Sequence, residues 1–363
     1  FLRSGALLAQ PFDTRRLELT GEPGAVAEQV SVADFSVSSS GVLVYRVGVF
    51  LHDTDPSGIT QGQLTWFDRE GKVLGTIGET GLYRTLALSP DGKQVAFERV
   101  DPQDANHRNI WLYEFAHGVT TRFTFDPKWD TGPVWFPEGS RIAFGSNRSG
   151  QFDLYQKASN LASEDELLYK SPQLKMPSSW SPDGRFLLYH FVISPSQVWA
   201  LPLHGGAADR KPVPVASSNA DEAMGRFSPD GRWVAYESNE SGGYEIYVRP
   251  FDVSSGPGSS PARGRPVTGK WMVSKGGGGS PLWRGDGKEL FYLSPDGMAM
   301  AVEVSTSGVF QAGVPKPLFR VPAGLVFWDV SSDGKRFLLP APSAATSATP
   351  FTVVLNWQAA LKK

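Results

Sequence analysis

Short apolar runs alternate with turn-forming residues along nearly the whole chain. One set of runs ("TLAL", "PVWF", "SSWS", "GRFS", "PLWR" and "FWDVS") precedes a tight polar turn. A second set follows it: "VLVY", "KQVAF", "SRIAF", "RFLLY", "RWVAY", "KELFY" and "KRFLL". These second runs are continuous rather than alternating, the pattern of strands whose sheet is covered on both faces. Six of the seven end on an aromatic side chain (Tyr45, Phe97, Phe144, Tyr189, Tyr236, Tyr292) and the other on Leu339. Third strands such as "NIWLYEF", "FDLYQKA", "QVWALPL" and "YEIYVRPF" come next, with weaker fourth strands such as "TTRFTF" and "ELLYK". No long stretch has the 3.6-residue period of an amphipathic helix, and "WQAALKK" at the end is the best short helix candidate.

The turn itself repeats. It reads "SSSG" (38–41), "SPDG" (89–92), "FPEG" (136–139), "SPDG" (181–184), "SPDG" (228–231), "RGDG" (284–287) and "SSDG" (331–334). The intervals are 51, 47, 45, 47, 56 and 47 residues. In S-P-D-G the proline presets φ, the aspartate bonds back to backbone amides, and the glycine supplies the positive φ of a tight hairpin. Asp91, Asp183, Asp230, Asp286 and Asp333 are therefore expected to shape turns, not to act as reactive carboxylates.

Four short strands per repeat predict an all-β protein, a β-propeller of four-stranded antiparallel blades. Seven turns predict seven blades, with six or eight as alternatives. Closure into a ring removes exposed sheet edges. The expected organisation is a single domain over 1–363: a lead-in (1–29), the repeats (30–340), and a last strand with its tail (341–363). The final copy supplies only "VFWDVSS", "KRFLLPA" and "FTVVLNW", three strands that leave the outer position open. The amino-terminal "ALLAQPFD" is expected to close this last blade by pairing with "FTVVLNW". The competing expectation makes it a third strand like "AMAVEV" (299–304), the remnant of an eighth unit.

Charge and composition narrow the partners. Thirty-five basic and 37 acidic residues are interspersed, for a net charge of −2, so nothing favours nucleic acid or an anionic membrane surface. The absence of cysteine excludes thiolate catalysis, cysteine-ligated zinc and internal disulfides. No apolar run reaches about 18 residues, so no direct membrane insertion by this segment is expected. The opening "FLRSGALLAQPF" has neither an initiator Met nor a signal-peptide pattern, and reads as a piece of a longer polypeptide.

The repeat resembles that of TolB-like, WD-repeat-related propellers. "FGSNRSGQFDLY" (144–155) and "YESNESGGYEIY" (236–247) fit that family's unit of S-N/D-x-x-G followed by an apolar-Tyr strand. Longer phrases resemble the carboxy-terminal propeller of bacterial transmembrane serine/threonine kinases. They are "LLAQPFDTRRLELTGEP" (7–23), "GRWVAYESNESGGYEIYVRPF" (231–251), "PLWRGDGKELFYLSPDG" (281–297) and "FTVVLNWQAALKK" (351–363). That resemblance implies a sensor propeller outside the cytoplasm, tethered through an upstream transmembrane helix. No kinase motif occurs in the chain, so no enzymatic activity is expected of it.

Other chemistry is sparse. "GRPVTGKW" (264–271) has phosphate-loop spacing, but Trp271 replaces the Ser or Thr that would hold Mg²⁺. "GGGG" (276–279) lacks a dinucleotide-binding context and reads as a loop of close backbone approach or simple flexibility. His52, His107, His117, His190 and His204 share no metal-ligand spacing, and neither metal nor cofactor is expected. Trp111, Trp135, Trp180, Trp199 and Trp283 read as core.

A site is expected where the segments leading into each first strand converge on one mouth of the ring. They contribute Asp34, Tyr83, Arg84, Trp129, Asp130, Lys175, Met176, Asp221, Glu222, Lys275 and Phe327, whose mixed charge and aromaticity suit a peptide, a protein or a polar small molecule. The interruptions at 48–62, 101–108 and 341–350 are expected on the mouth side, and 254–266 on the opposite face. The leading expectation is a non-catalytic binding propeller. Its rivals are a lactonase-, lyase- or cyclase-like propeller enzyme and a protein-interaction scaffold.

Overall fold

The computed structural model describes residues 2–3, 6–13, 15–16, 18–27, 30–38, 42–47, 60–101, 104–203, 210–251, 269–322, 325–342, 351–355 and 357. Among them there is no α-helix, and the regular structure is antiparallel β-sheet. The chain divides into two compact units: Phe1–Ser57 with Ala344–Lys363, and Gly58–Ser343.

In the larger unit, four meanders follow in order. The first comprises Asp130–Trp135, Arg141–Ser146, Asp153–Ala158 and Glu166–Tyr169. The second runs through Lys175–Trp180, Phe186–Phe191, Val198–Pro202 and Val213–Ala216, and the third through Glu222–Phe227, Trp233–Ser238, Glu245–Pro250 and Trp271–Met272. Gly279–Trp283, Glu289–Leu293, Met298–Ser305 and Lys316–Arg320 make the fourth.

A seven-stranded sheet holds the rest, and the sixteen-residue strand Val73–Leu88 runs through its centre. Its early residues pair with Thr60–Phe67, which in turn pairs with Phe337–Ala341 and so with Asp329–Val330. Its late residues pair with Gln94–Asp101, followed by Asp104–Glu114 and Val119–Arg122. One long strand is thus the outer edge of one blade and the inner strand of the next. First strands neighbour one another from Val73–Leu88 round to Gly279–Trp283, the Trp328 indole donates to the Ser280 carbonyl (3.0 Å), and the Leu88 amide donates to Asp329 Oδ2 at 2.7 Å, joining last to first. Among the described residues the larger unit holds six four-stranded groups in the order of a propeller.

This replaces the expected seam. Among the described residues, Phe351–Leu355 pairs with Val42–Val47, and Ala6–Ala9 pairs with Leu2–Arg3 and Gly24–Ala27. The amino-terminal strand and "FTVVL" do not pair with each other. The first turn copy, with strands Val30–Val37 and Val42–Val47, lies in the smaller unit, which leaves six copies in the ring. Ala6–Ala9 sits between two antiparallel neighbours, as the third strand Met298–Ser305 does in its blade. The open edge of Phe337–Ala341 is taken instead by Thr60–Phe67, whose hairpin turn places Arg69 against Glu289 (2.9 and 3.1 Å) and the Gly334 carbonyl (2.9 Å). Of the expected interruptions, 104–108 is strand, continuing the hairpin 94–114. Residues 48–59, 254–266 and 343–350 lie outside the described residues, as does all of "WQAALKK" except Trp357.

The turns form as their chemistry dictates. Ser181 Oγ bonds Asp183 Oδ1 (2.6 Å), which also accepts from the Arg185 amide (3.1 Å). The same pattern holds at Asp91, Asp230 and Asp333. Gly184 has φ +68°, and a Cβ there would stand 2.5 Å from the Phe136 ring. Asp183→Asn, which keeps an acceptor in place, is expected to cost about 1 kcal/mol or less. Gly184→Val is expected to cost several times more, because it adds a ring clash to a disfavoured φ. Coincident thermal melts of the two variants would refute the assignment.

The aromatic residues that end the second strands of the ring are its core, with Phe97, Phe144, Tyr189, Tyr236 and Tyr292 almost fully buried. The tryptophans do more than pack. Trp135, Trp180 and Trp283 each donate their indole N–H to a carbonyl of the preceding blade: Ala87 (2.9 Å), Val134 (3.1 Å) and Arg226 (3.1 Å).

Candidate functional site

The residues expected at the mouth do stand at or just before the starts of first strands in the larger unit, except Asp34. That residue falls in Val30–Val37 of the smaller unit, and its side chain is outside the described residues. Most of the others are spent on structure. Lys175 is fully buried, and its ammonium donates to Asp153 (2.7 Å) and to the Phe152 and Ser171 carbonyls (3.1 Å each). Asp130 is buried against Arg148 (3.0 Å), and burial raises its pKa. Glu222 accepts from the Ser218 amide and hydroxyl (both 3.0 Å). Tyr83 is buried edge-on to Phe97, Met176 is buried close to Gly132, and Trp129 carries the Arg108 guanidinium 3.9 Å from its ring centroid. Asp221 and Phe327 are partly exposed and Lys275 is exposed.

Among the described residues Arg84, alone of those expected, stacks on another of them. It bonds Thr131 Oγ1 (2.9 Å), lies 3.7 Å from buried Glu98, and stacks 5.3 Å from the centre of Phe327. Thr85 and Thr131 also donate to Glu98 (2.9 and 2.5 Å). Farther round, Arg226 donates to the Ser178 carbonyl (2.7 Å) and acts electrostatically on both His190 and Asp329. Burial raises the Asp329 carboxyl, with Arg226 opposing, and burial lowers the Arg226 guanidinium. His190 is held down at about 4, first by burial and then by Arg226 and Arg84.

Glu98 and His190 were missed because they lie in second strands, and Arg226 and Asp329 because they lie nearer the turn than the residues expected at the mouth. A signal existed for two of them. Five residues before the turn glycine, Arg226 and Asp329 occupy a repeat position where other copies carry Ala87, Val134, Ser179 and Leu282. A charge where the repeat is mostly small or apolar marks a departure from packing.

Neutral His190 has a consequence with a definite sign. Its folded pKa lies below the unfolded value, so its contribution is intact above pH 6.5 and is lost as pH falls toward 4. That gap corresponds to about 3 kcal/mol. Asp130, Glu237 and Asp329, with raised pKa values, pull the other way on acidification. The comparison is therefore made with His190→Gln, in which those groups remain. Between pH 7 and 4 the parent should lose about 3 kcal/mol more in denaturant melts than the variant. Parallel pH profiles would contradict a neutral buried imidazole.

Cavities open on both faces of the ring. One, of about 560 Å³, lies between the turn 284–289 and the strand end 303–307, on the face opposite the mouth. Most of its charges are already paired, Arg284 with Asp286 and Glu289, and Glu303 with Lys316. The other, of about 510 Å³, lies on the mouth side. It is bounded by the loop before Glu245, the glycines 276–279, the hairpin at Pro295, and Leu325. "GGGG" thus belongs to a site wall. Lys270, the lysine of the phosphate-loop spacing, is engaged by Glu240. Among the described residues no three His, Asp or Glu side chains gather as a metal site.

A ring of four-stranded antiparallel sheets whose first and second strands are joined by tight S-P-D-G-type hairpins is a β-propeller, and part of it is similar to the TolB propellers. Residues 76–198 match the family model of the TolB beta propeller domain. In sequence the chain is similar to "Uncharacterized peptidase YuxL" of Bacillus subtilis, 27% identical over 187 residues. It is also similar to the Tol-Pal system protein TolB of Helicobacter pylori, 23% identical over 183. The alignments take in 42% and 50% of this chain and 28% and 40% of those proteins, so the chain spans less than half the length of the curated relatives it matches. Among solved structures it is similar to one assigned to TolB of Agrobacterium tumefaciens, with TM-score 0.59 and 17% identity, covering 79% of this chain and 100% of that one. TolB of Acinetobacter baumannii gives TM-score 0.51 and 14% identity over 85% of this chain and 78% of its own. At such identities the likeness is one of fold.

Proposed function

We propose that this chain is a non-catalytic binding propeller whose mouth face recognises a protein or peptide. We further propose that it is the extracytoplasmic sensor portion of a membrane-bound serine/threonine protein kinase. The observation that carries the first reading is the pairing of exposed apolar side chains with a cavity on one face. Val192 and Ile193, on the loop after Phe186–Phe191, are 47% and 64% exposed, and Tyr244, on the corresponding loop of the next blade, is 47% exposed. Between them Asp221 braces both loops, accepting from the Ser196 amide (2.9 Å) and from Asn239 (3.3 Å). Exposed apolar groups set among satisfied polar ones, beside a concavity, suit a protein contact.

The kinase-linked reading is supported by the phrases at 231–251, 281–297 and 351–363. Among the described residues no helix is long and apolar enough to cross a membrane, so the tether would lie outside them. Protease protection of the parent protein in intact cells would test the placement, and a propeller cut only after the inner membrane is opened to the cytoplasm would refute it.

For the binding face, a thermal-shift screen of a peptide library should return ligands that raise the melting temperature by mass action. Their effect should vanish in Ile193→Ser and Tyr244→Ala and persist in Val314→Ser, which alters an exposed residue of the opposite face. The reverse pattern would overturn the mouth-face assignment.

A further inference from the structure

We propose that the mouth-side cavity is a lysine pocket, taking the ammonium and apolar stem of a lysine side chain presented by a partner protein. The inference rests on the mouth-face reading and adds a ligand chemistry to it. Its centre is Glu237, near the end of Trp233–Ser238, a half-buried carboxylate that lines the cavity. Glu237 Oε2 accepts from the Ser280 amide at 2.9 Å. Among the described residues no lysine or arginine pairs with this carboxylate, and burial is the largest influence on it. A desolvated carboxylate without a counter-cation gains most from a cation that a ligand brings.

The second acid of the cavity has a different task. Glu245 Oε1 accepts from the amides of Gly276 (3.0 Å) and Gly277 (2.9 Å), and Ser274 donates its hydroxyl to the other oxygen. Glu245 therefore holds the loop, and Glu237 carries the available charge. The glycines keep that charge uncovered. A Cβ at Gly277 would stand 2.3 Å from Pro295, and one at Gly278 would stand 2.9 Å from Ser274, so the loop closes only without side chains. At Gly279 a Cβ would stand 3.0 Å from Glu237 Oε2, across the carboxylate itself. Four consecutive glycines leave the acid open to the cavity.

The remaining lining selects among cations. Leu293, Pro295 and Leu325 offer apolar surface for a hydrocarbon stem, and Tyr244 adds an aromatic wall. Arginine is disfavoured because its planar fork seeks two free carboxylate oxygens, and one here is engaged by Ser280. A hard divalent ion needs six or more oxygen ligands, which one open carboxylate does not provide. An ammonium needs one strong acceptor and tolerates several orientations. At about 510 Å³ the cavity falls within the size range of specific pockets. Lys275, exposed on the same loop, is the one competitor in cis close by in sequence, and Lys275→Ala is expected to leave the binding intact or strengthen it.

The probe is a doubly capped Ala-Lys-Ala peptide, titrated against the intact chain and followed by NMR shifts of the 276–280 amides. The lysine peptide should shift them saturably, whereas norleucine or ε-acetyl-lysine in its place should bind at least tenfold more weakly. Glu237→Gln, which keeps an oxygen for the Ser280 amide, should weaken lysine binding more than tenfold without lowering the melting temperature. Gly279→Ala should weaken it as well. Equal binding by norleucine, undiminished binding to Glu237→Gln, or no saturable shift with any peptide would overturn the proposal. Preference for an uncapped Ala-Ala-Ala amide would assign the pocket to a chain terminus and overturn the lysine assignment. If the peptides fail while library hits still depend on Ile193 and Tyr244, the mouth face stands and the lysine pocket falls.

Discussion

Replacement of Lys175 by methionine is expected to destabilise the protein by about 3–5 kcal/mol, a loss large enough to leave much of it unfolded near body temperature. The ammonium is fully buried and meets three acceptors, of which Asp153 at 2.7 Å is also fully buried. Burial lowers the lysine's pKa and its Asp153 partner opposes that, so the pair persists because each ion compensates the other. Methionine would leave Asp153 charged in a site that water does not reach. Adding Asp153→Asn should recover part of the loss, because a neutral amide is cheaper to strand than a carboxylate. Urea melts of the parent, both single variants and the double variant make the test, and a loss below about 1 kcal/mol for Lys175→Met would refute the buried pair. The same experiment separates structure from binding: whatever fraction of the variant remains folded should bind its ligands normally.

Gly62→Val is expected to open the ring at its seam, costing at least about 3 kcal/mol. Gly62 lies in Thr60–Phe67, the strand that takes the free edge of Phe337–Ala341. A Cβ there would stand 2.0 Å from the Ala341 carbonyl oxygen and 2.5 Å from its carbon. Backbone on the facing strand cannot rotate away as a side chain can, so the ladder must part. Opening it would also loosen the bidentate Arg69–Glu289 pair, which fastens the adjoining hairpin to the preceding blade. The expected signature is a lowered melting temperature with new exposure of strand edges, seen as concentration-dependent aggregation. A variant that melts with the parent and stays monomeric would show that the ring does not depend on this seam.

The repeat was legible because its information is local. Ser181, Asp183 and Gly184 make their turn with partners at most a few residues away, so the phrase predicts the hairpin wherever it occurs. Aromatic residues ending apolar runs, Phe144 or Tyr236, are buried because the strands carrying them are covered on both sides. The candidate site was legible only in outline. The segments leading into first strands gave only a region, and within it Lys175, Asp130 and Glu222 are engaged by Asp153, Arg148 and Ser218. Polar residues at a crowded rim are first consumed by the backbone and counter-ions around them, and sequence does not say which are left over.

The sequence by itself determined the turns, the strands, the four-strand unit and the all-β propeller class, since each depends on contacts within one repeat. Only the tertiary structure decided the closure. Thr60–Phe67 joins Phe337–Ala341, more than 250 residues later in the chain, and edge pairing of this kind is chosen by whichever free edge the folded ring presents. Only the tertiary structure, likewise, set His190 within electrostatic reach of Arg84 and Arg226, and Arg226 within reach of Asp329, and placed Glu237 in the lining of a cavity walled by glycines 276–279. These groups come from different blades, and no spacing along the chain encodes a distance across a ring.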